Sequence, residues 1–112
     1  MEIEVIQEEG YVTLRPKGDL DANSSIVLDE KIKELIDNNQ VNIHVDFGQV
    51  DYISSAGWGV FTYYYEEIRS KNGNIVMSGM NENVRDVFNV LGLYQLFQLT
   101  ENNQEAAAFF SQ

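Results

Sequence analysis

Apolar and polar residues alternate over residues 2–8 and again over 11–16. Ile3 and Val5 share one side of the first run, and Val12 and Leu14 share one side of the second. Period-two alternation marks a strand with one buried face. Glu8, Glu9 and Gly10 between the runs read as a tight turn, which predicts an antiparallel hairpin. Pro16, the only proline, is expected to end the second strand or hold it at an edge. The spacing then changes. Leu28, Ile32, Leu35 and Ile36 recur at i, i+4, i+7 and i+8, a helical stripe that stops at Asn38-Asn39. Asn23, Ser24 or Ser25 could cap this helix, and Asp29 and Glu30 suit its first turns.

Alternation returns at Val41, Ile43, Val45 and Phe47, interleaved with Asn42, His44 and Asp46, and Gly48 closes the run. A strand with one apolar and one polar face belongs to a sheet covered by helices mainly on one side. Val41, Ile43, Val45 and Phe47 should therefore be buried, with Asn42 and His44 more exposed. Residues 56–70 form a second helical pattern, carrying Val60, Phe61, Tyr64, Tyr65 and Ile68. Tyr63, Tyr64 and Tyr65 cannot all face one core, so at least one should be exposed. Lys71-Asn72-Gly73-Asn74 is a stop and turn, and Ile75-Val76-Met77 a short strand. Asn81 caps a third helix bearing Val84, Val87, Phe88 and Leu91, with Gly92 at the position just past its end. Leu96, Phe97 and Leu99 mark a last extended segment. Thr100 can cap a terminal helix in which Ala106, Phe109 and Phe110 dock back.

The order ββαβαβαβα implies parallel strands joined by crossovers after the hairpin. The expected fold is α/β: one layer of mixed sheet with four or five strands, the first pair antiparallel and the rest parallel. About four α-helices pack mainly on one face. With 112 residues and no linker, repeat or low-complexity segment, residues 1–112 are expected to form one domain.

Between the third strand and the second helix lies Gln49–Val60, QVDYISSAGWGV. Small residues, hydroxyls and glycines cluster only here at a strand-to-helix junction. Small side chains let another molecule approach closely. A hydroxyl in the first helical turn faces unpaired backbone N–H groups and the positive end of the helix dipole, a favourable place for a phosphate. The same position suits plain capping by Ser54 or Ser55, with glycines that make room for packing. Capping serine and phosphate acceptor occupy the same ground, and the local pattern leaves both open.

Composition narrows the chemistry. Eighteen acidic against seven basic residues give a formal charge of −11. That charge argues against nucleic acid and anionic membrane surfaces and is compatible with a basic protein partner. No cysteine is present, so no disulfide framework or thiolate metal site arises, and one histidine makes no metal cluster. His44 sits mid-strand on the polar face, where a solvated residue is expected. There is no G-x-S-x-G elbow, and Gly57-Trp58-Gly59 lacks the third glycine and the lysine of phosphate-binding loops. Enzymatic catalysis is disfavoured and no cofactor is called for. The acidic N-terminus and the lack of a long apolar run predict no signal peptide or membrane insertion, and a cytoplasmic location.

Ile53-Ser54-Ser55-Ala56-Gly57-Trp58-Gly59, after a Val/Ile/Phe strand and before an apolar helix, resembles the phosphorylation loop of the STAS-domain family. Gly18-Asp19-Leu20-Asp21-Ala22 resembles that family's loop after the second strand, and Asn81–Phe97 its third helix and last strand. The resemblance runs along essentially the whole chain. It implies an anti-sigma factor antagonist, a bacterial regulator that binds an anti-sigma factor and so releases a sigma factor. The implied partner is also a serine kinase, with a histidine-kinase-like ATPase fold, and phosphorylation of the loop serine blocks binding. A PP2C-type phosphatase restores it. Aligned on the motif, the phosphorylated position is Ser55. Ser54 stands where the family most often has aspartate, and Trp58 where a smaller aliphatic residue is usual. Ser54, Ala56, Gly57 and Trp58 are then expected to flank the phosphosite and face the partner. Asp21 matches the loop carboxylate and is predicted to lie near Ser55, though it equally fits a turn-forming aspartate before a helix. The alternative is a constitutive STAS adaptor, a subunit of a transport or sensory assembly that is never phosphorylated.

Overall fold

A computed structural model describes residues 2–111. The chain runs β1 (Glu2–Gln7), β2 (Val12–Leu20), α1 (Ser24–Asp37), β3 (Asn42–Asp46), β4 (Val50–Ile53), α2 (Ser55–Ser70), β5 (Asn74–Ser78), α3 (Glu82–Val90), a 3-10 turn at Leu93–Gln95, β6 (Gln98–Thr100) and α4 (Asn103–Phe110). The sheet order is β1-β2-β3-β5-β6, with β4 paired to β2. Among the described residues, only the β1–β2 pair is antiparallel, from Glu2 opposite Lys17 to Gln7 opposite Val12. The mixed sheet, antiparallel only at its first pair, follows the alternation in the sequence.

Among the described residues six strands form the sheet, not four or five. The additional one is β4, inside the stretch expected to be a junction. Its burial runs buried, exposed, exposed, buried, so it carries no period-two signal. It exists because β2 is nine residues long: Val12–Leu14 pair with β3, and Gly18–Leu20 pair with β4 across a register shift between Gly18 and Asp19. Pro16 falls between these two pairings, which is why β2 runs through it to Leu20 rather than ending there.

One sheet face makes the main core. Val12, Leu14, Ile43, Val45, Phe47, Ile75 and Met77 meet Leu28, Ile32, Leu35 and Ile36 of α1, Phe61, Tyr64 and Ile68 of α2, and Val84 and Phe88 of α3. Each large apolar side chain buried this way contributes about 1.5–3 kcal/mol before conformational entropy is counted. Val41 is only half-buried, just ahead of β3, while Tyr63 is the exposed member of the tyrosine run.

The opposite face departs from expectation. His44 is 1% exposed, not solvated. Its Nδ1 lies 3.0 Å from Thr13 Oγ1 and its Nε2 lies 2.7 Å from Ser78 Oγ. α4 covers this row: Ala106 is fully buried, and Phe110 stacks on Tyr11 with centroids 4.7 Å apart. Asn103 of α4 donates through Nδ2 to Asp46 Oδ2, which also accepts from Arg15 Nε at 3.0 Å. Helices α1, α2 and α3 thus share one face and α4 alone takes the other. The cap of α4 is Asn102, whose side chain accepts from Glu105 N, rather than Thr100.

Candidate functional site

The site grows from the ends of β2 and β4. Leu20 pairs with Ile53, and Ser54 N donates to Leu20 O at 2.8 Å, so the chain leaves both strands at the same edge of the sheet. Ser54 is in extended conformation and caps α2. Its Oγ accepts from Gly57 N at 3.2 Å, and its carbonyl accepts from Trp58 N at 3.0 Å. Ser55 is the first residue of that 16-residue helix and is exposed. Among the described residues, no side-chain hydrogen bond engages its hydroxyl. The two serines therefore have different work: one hydroxyl is committed to the helix, and the other projects into solvent.

Ala56 and Gly59 are exposed beside Ser55. Gly57 is buried, and a Cβ there would stand 2.7 Å from Ile53 Cγ1 and 3.3 Å from Leu20 Cβ. It is a close-approach glycine that lets α2 begin directly against the strand ends, not a surface offered to a partner. Trp58, expected among the partner-facing residues, is 3% exposed. Its ring packs 6.0 Å from Phe47, 6.2 Å from Phe61 and 5.9 Å from Phe88, centroid to centroid. The physical reason is helical phase: Trp58 shares the inward face of α2 with Phe61 and Ile68, and a large ring on that face fills the core.

Asp21 stands at the same sheet edge but turns its carboxylate into its own loop. Oδ1 accepts from Ser24 N at 2.9 Å, and Asp21 N donates to Ser24 Oγ at 2.8 Å. This is a reciprocal capping box that starts α1, with Ser25 N closing on Asp21 O at 2.9 Å. Asn23 holds the cap position of α1 but makes no side-chain cap bond, and the capping side-chain contact comes from Asp21 two residues earlier. The Ser24 backbone N–H and then its hydroxyl hold the Asp21 carboxyl below the usual carboxylate range. Among the described residues, no hydrogen bond joins Asp21 to Ser55.

What does lie beside Ser55 is a groove between the starts of α1 and α2, with a volume near 460 Å³. Ala22, Ser25 and Ile26 form one wall, Ala56 and Val60 the other, and Asp29 and Glu30 supply its charge. Ile26 is 61% exposed. Tyr64 OH donates to Asp29 Oδ1 at 2.7 Å, which ties the two helices together. Burial and then that carboxylate push the Tyr64 hydroxyl far up, so it remains a donor. Sequence reasoning had not placed Ile26, Asp29, Glu30 and Val60 in the site. The available signal was Ile26, an isoleucine outside the buried stripe of its own helix.

The arrangement offers an exposed serine hydroxyl beside an open groove. His44 lies under α4, and its burial lowers its pKa. Among the described residues, no cluster of histidine, cysteine, aspartate or glutamate could hold a metal ion, and no helix is long and apolar enough to cross a membrane.

Comparison with known proteins agrees with this fold. BtrV of Bordetella bronchiseptica, a candidate anti-sigma factor antagonist, is 26% identical over 110 residues, covering 98% of this chain and 95% of that one. A Thermotoga maritima protein described as a candidate anti-sigma factor antagonist superposes with a TM-score of 0.93 at 19% identity, covering 98% and 95% of the two chains. The Bacillus cell fate determinant SpoIIAA, solved in its phosphorylated form, superposes with a TM-score of 0.75 at 20% identity, covering 96% and 97%. The STAS domain family model matches residues 2–106. The chain belongs to the STAS domain family.

Proposed function

We propose that this chain is a phospho-switched, non-catalytic binding protein of the cytoplasm, folded as one domain over residues 1–112. It sequesters an anti-sigma factor that is also a serine kinase and so releases a sigma factor. The kinase transfers the γ-phosphoryl group of ATP to Ser55 Oγ, and a PP2C-type phosphatase hydrolyses the phosphoserine. The observation that carries this reading is the division between the serines: Ser54 Oγ is taken up by Gly57 N, whereas Ser55 presents its hydroxyl to solvent in the first turn of α2. The likeness to anti-sigma factor antagonists supports the partner class.

A phosphate on Ser55 adds about −1.5 to −2 charge at pH 7. The helix N-terminus offsets that charge, so the domain stays folded. The cost falls on the complex, where a dianion is pressed against the partner; an unpaired charge buried there costs several kcal/mol. Each 1.4 kcal/mol is tenfold in affinity, so even part of that penalty switches binding. Incubation with the organism's candidate kinases, ATP and Mg²⁺, followed by mass spectrometry, should place the phosphate on Ser55. Ser55→Ala should keep binding and lose phosphorylation, and Ser55→Asp should weaken binding. Label persisting on Ser55→Ala but absent from Ser54→Ala would move the acceptor by one residue. No modification of either serine, with retained binding, would favour the constitutive adaptor.

A further inference from the structure

Several of the exposed large apolar side chains lie on α3, just after it, or on β4. Val87 is 41% exposed, Val90 84%, Leu91 55% and Tyr94 58%, all on α3 or just after it, and Tyr52 of β4 is 55% exposed. At 100° per residue, Leu91, Val87 and Val90 fan outward from the buried pair Val84 and Phe88, and Asp86 and Glu82 stand beyond them. β4 forms the facing wall. A cleft of about 220 Å³ runs between Asp51 and Tyr52 on that wall and Asn83 and Val87 on the helix.

The walls are locked together. Asn81 Nδ2 donates to Val50 O and Asp51 O, both at 3.2 Å, and Asn81 Oδ1 accepts from Val84 N at 2.8 Å. One side chain thus caps α3 and pins it to β4, which leaves the cleft preformed. Its rim is acidic. Asp51, Glu82 and Asp86 are all exposed, and the base on α3, Arg85, pairs with Glu101 at 3.6 Å instead. Contiguous apolar surface with a rim of one charge marks an interaction site. A second copy of this chain would set the same acids against each other on a body of formal charge −11. A cationic partner gains where a second copy loses.

The geometry points to a second contact of the anti-sigma factor: a basic-edged amphipathic segment whose apolar face enters the Tyr52–Val87 cleft and whose Lys or Arg side chains meet Asp51, Glu82 and Asp86. The inference rests on the function proposed above. Tyr52 precedes Ser55 by three residues, at most about 10 Å of extended chain, so one partner spans both places. Phosphorylation governs one contact, and the α3–β4 cleft supplies affinity from the other.

The test is a titration of the purified anti-sigma factor against the wild-type protein, Val90→Asp, and the double variant Glu82→Lys with Asp86→Lys, at low and high salt. All three altered side chains are exposed, so far-UV circular dichroism should stay put, and the charges of unfavourable sign at the ends of α3 should lower the thermal midpoint by only a few degrees. Val90→Asp should weaken binding by about tenfold. The double variant should weaken it several-fold and flatten its salt dependence. Wild-type binding with both variants within twofold would overturn the second contact and leave the Ser55 switch standing. No binding by the wild type would overturn both. Sedimentation showing a wild-type dimer that Val90→Asp dissociates would assign the cleft to a second copy and overturn the partner named here.

Discussion

Replacing each serine of the pair separately by alanine separates capping from acceptance. Ser54 Oγ accepts from Gly57 N at 3.2 Å from an extended backbone, which is the geometry of an N-cap, and Ser54 is only half-buried. Loss of such a cap costs about 1 kcal/mol, within a range of roughly 0.5–2. Ser55 is exposed at the first helical position, where alanine forms helix at least as well as serine, so Ser55→Ala should change stability by less than about 0.5 kcal/mol. For a chain of 112 residues the unfolding entropy is roughly 0.24 kcal/mol/K, so Ser54→Ala should lower Tm by about 4 °C. With an m-value of about 1.5 kcal/mol/M, its urea midpoint should fall by roughly 0.7 M. Ser55→Asp adds a negative charge at the helix start and should raise stability by about 0.3–1 kcal/mol. Urea denaturation followed by Trp58 fluorescence suits the measurement, because Trp58 is the only tryptophan and is buried in the core. Equal m-values would show that only stability changed. The reasoning fails if Ser55→Ala costs as much as Ser54→Ala, since the hydroxyl assigned to solvent would then be holding the helix.

Two further outcomes follow from buried groups. Trp58→Ala removes a ring packed among Phe47, Phe61 and Phe88 and should cost about 3–5 kcal/mol, whereas Trp58→Phe should remain folded; denaturation midpoints read by circular dichroism decide it, and a near-neutral Trp58→Ala would contradict its place in the core. Burial lowers the His44 pKa in the fold, so protonation favours the unfolded chain: the stability is present above the ordinary histidine value near 6.5 and is lost as pH falls from there toward the folded value. The same window should be flatter for His44→Gln, so urea midpoints of both proteins at pH 7.5, 6.5 and 5.5 check it; parallel slopes would refute the role of His44. Asp46 titrates lower, because the Gly48 N–H, Arg15 and Asn103 together outweigh the burial that pushes its carboxyl up, so its loss belongs to more acidic solution.

Features that depend on neighbours along the chain were legible before any coordinates. The stripe from Leu28 to Ile36 and the alternation from Val41 to Phe47 define faces by period alone, and both faces are buried as read except at Val41, which is half-buried. Asn81 caps α3 through Val84 N, and Gly92 takes a left-handed φ of 69°, because both tasks are set within four residues. The pair Ser54-Ser55 was marked by the same local logic, together with the resemblance to the STAS family.

The tertiary structure decided what depends on distant partners. β4 is a strand because the far end of β2 offers it a ladder more than thirty residues back in the chain, and four residues carry no period of their own. His44 is buried because α4, from the far end of the chain, lies across a sheet face whose polar pattern reads as open to water. Trp58 is interior because Phe47 and Phe88 close around it, and no property of the QVDYISSAGWGV stretch contains those rings. Which serine caps was a question of backbone geometry: both residue types fit both roles, and only the 3.2 Å approach of Gly57 N to Ser54 Oγ separates them. Local sequence sets periods, caps and turns through interactions spanning a few residues, whereas burial and pairing are settled between segments that meet only when the chain folds.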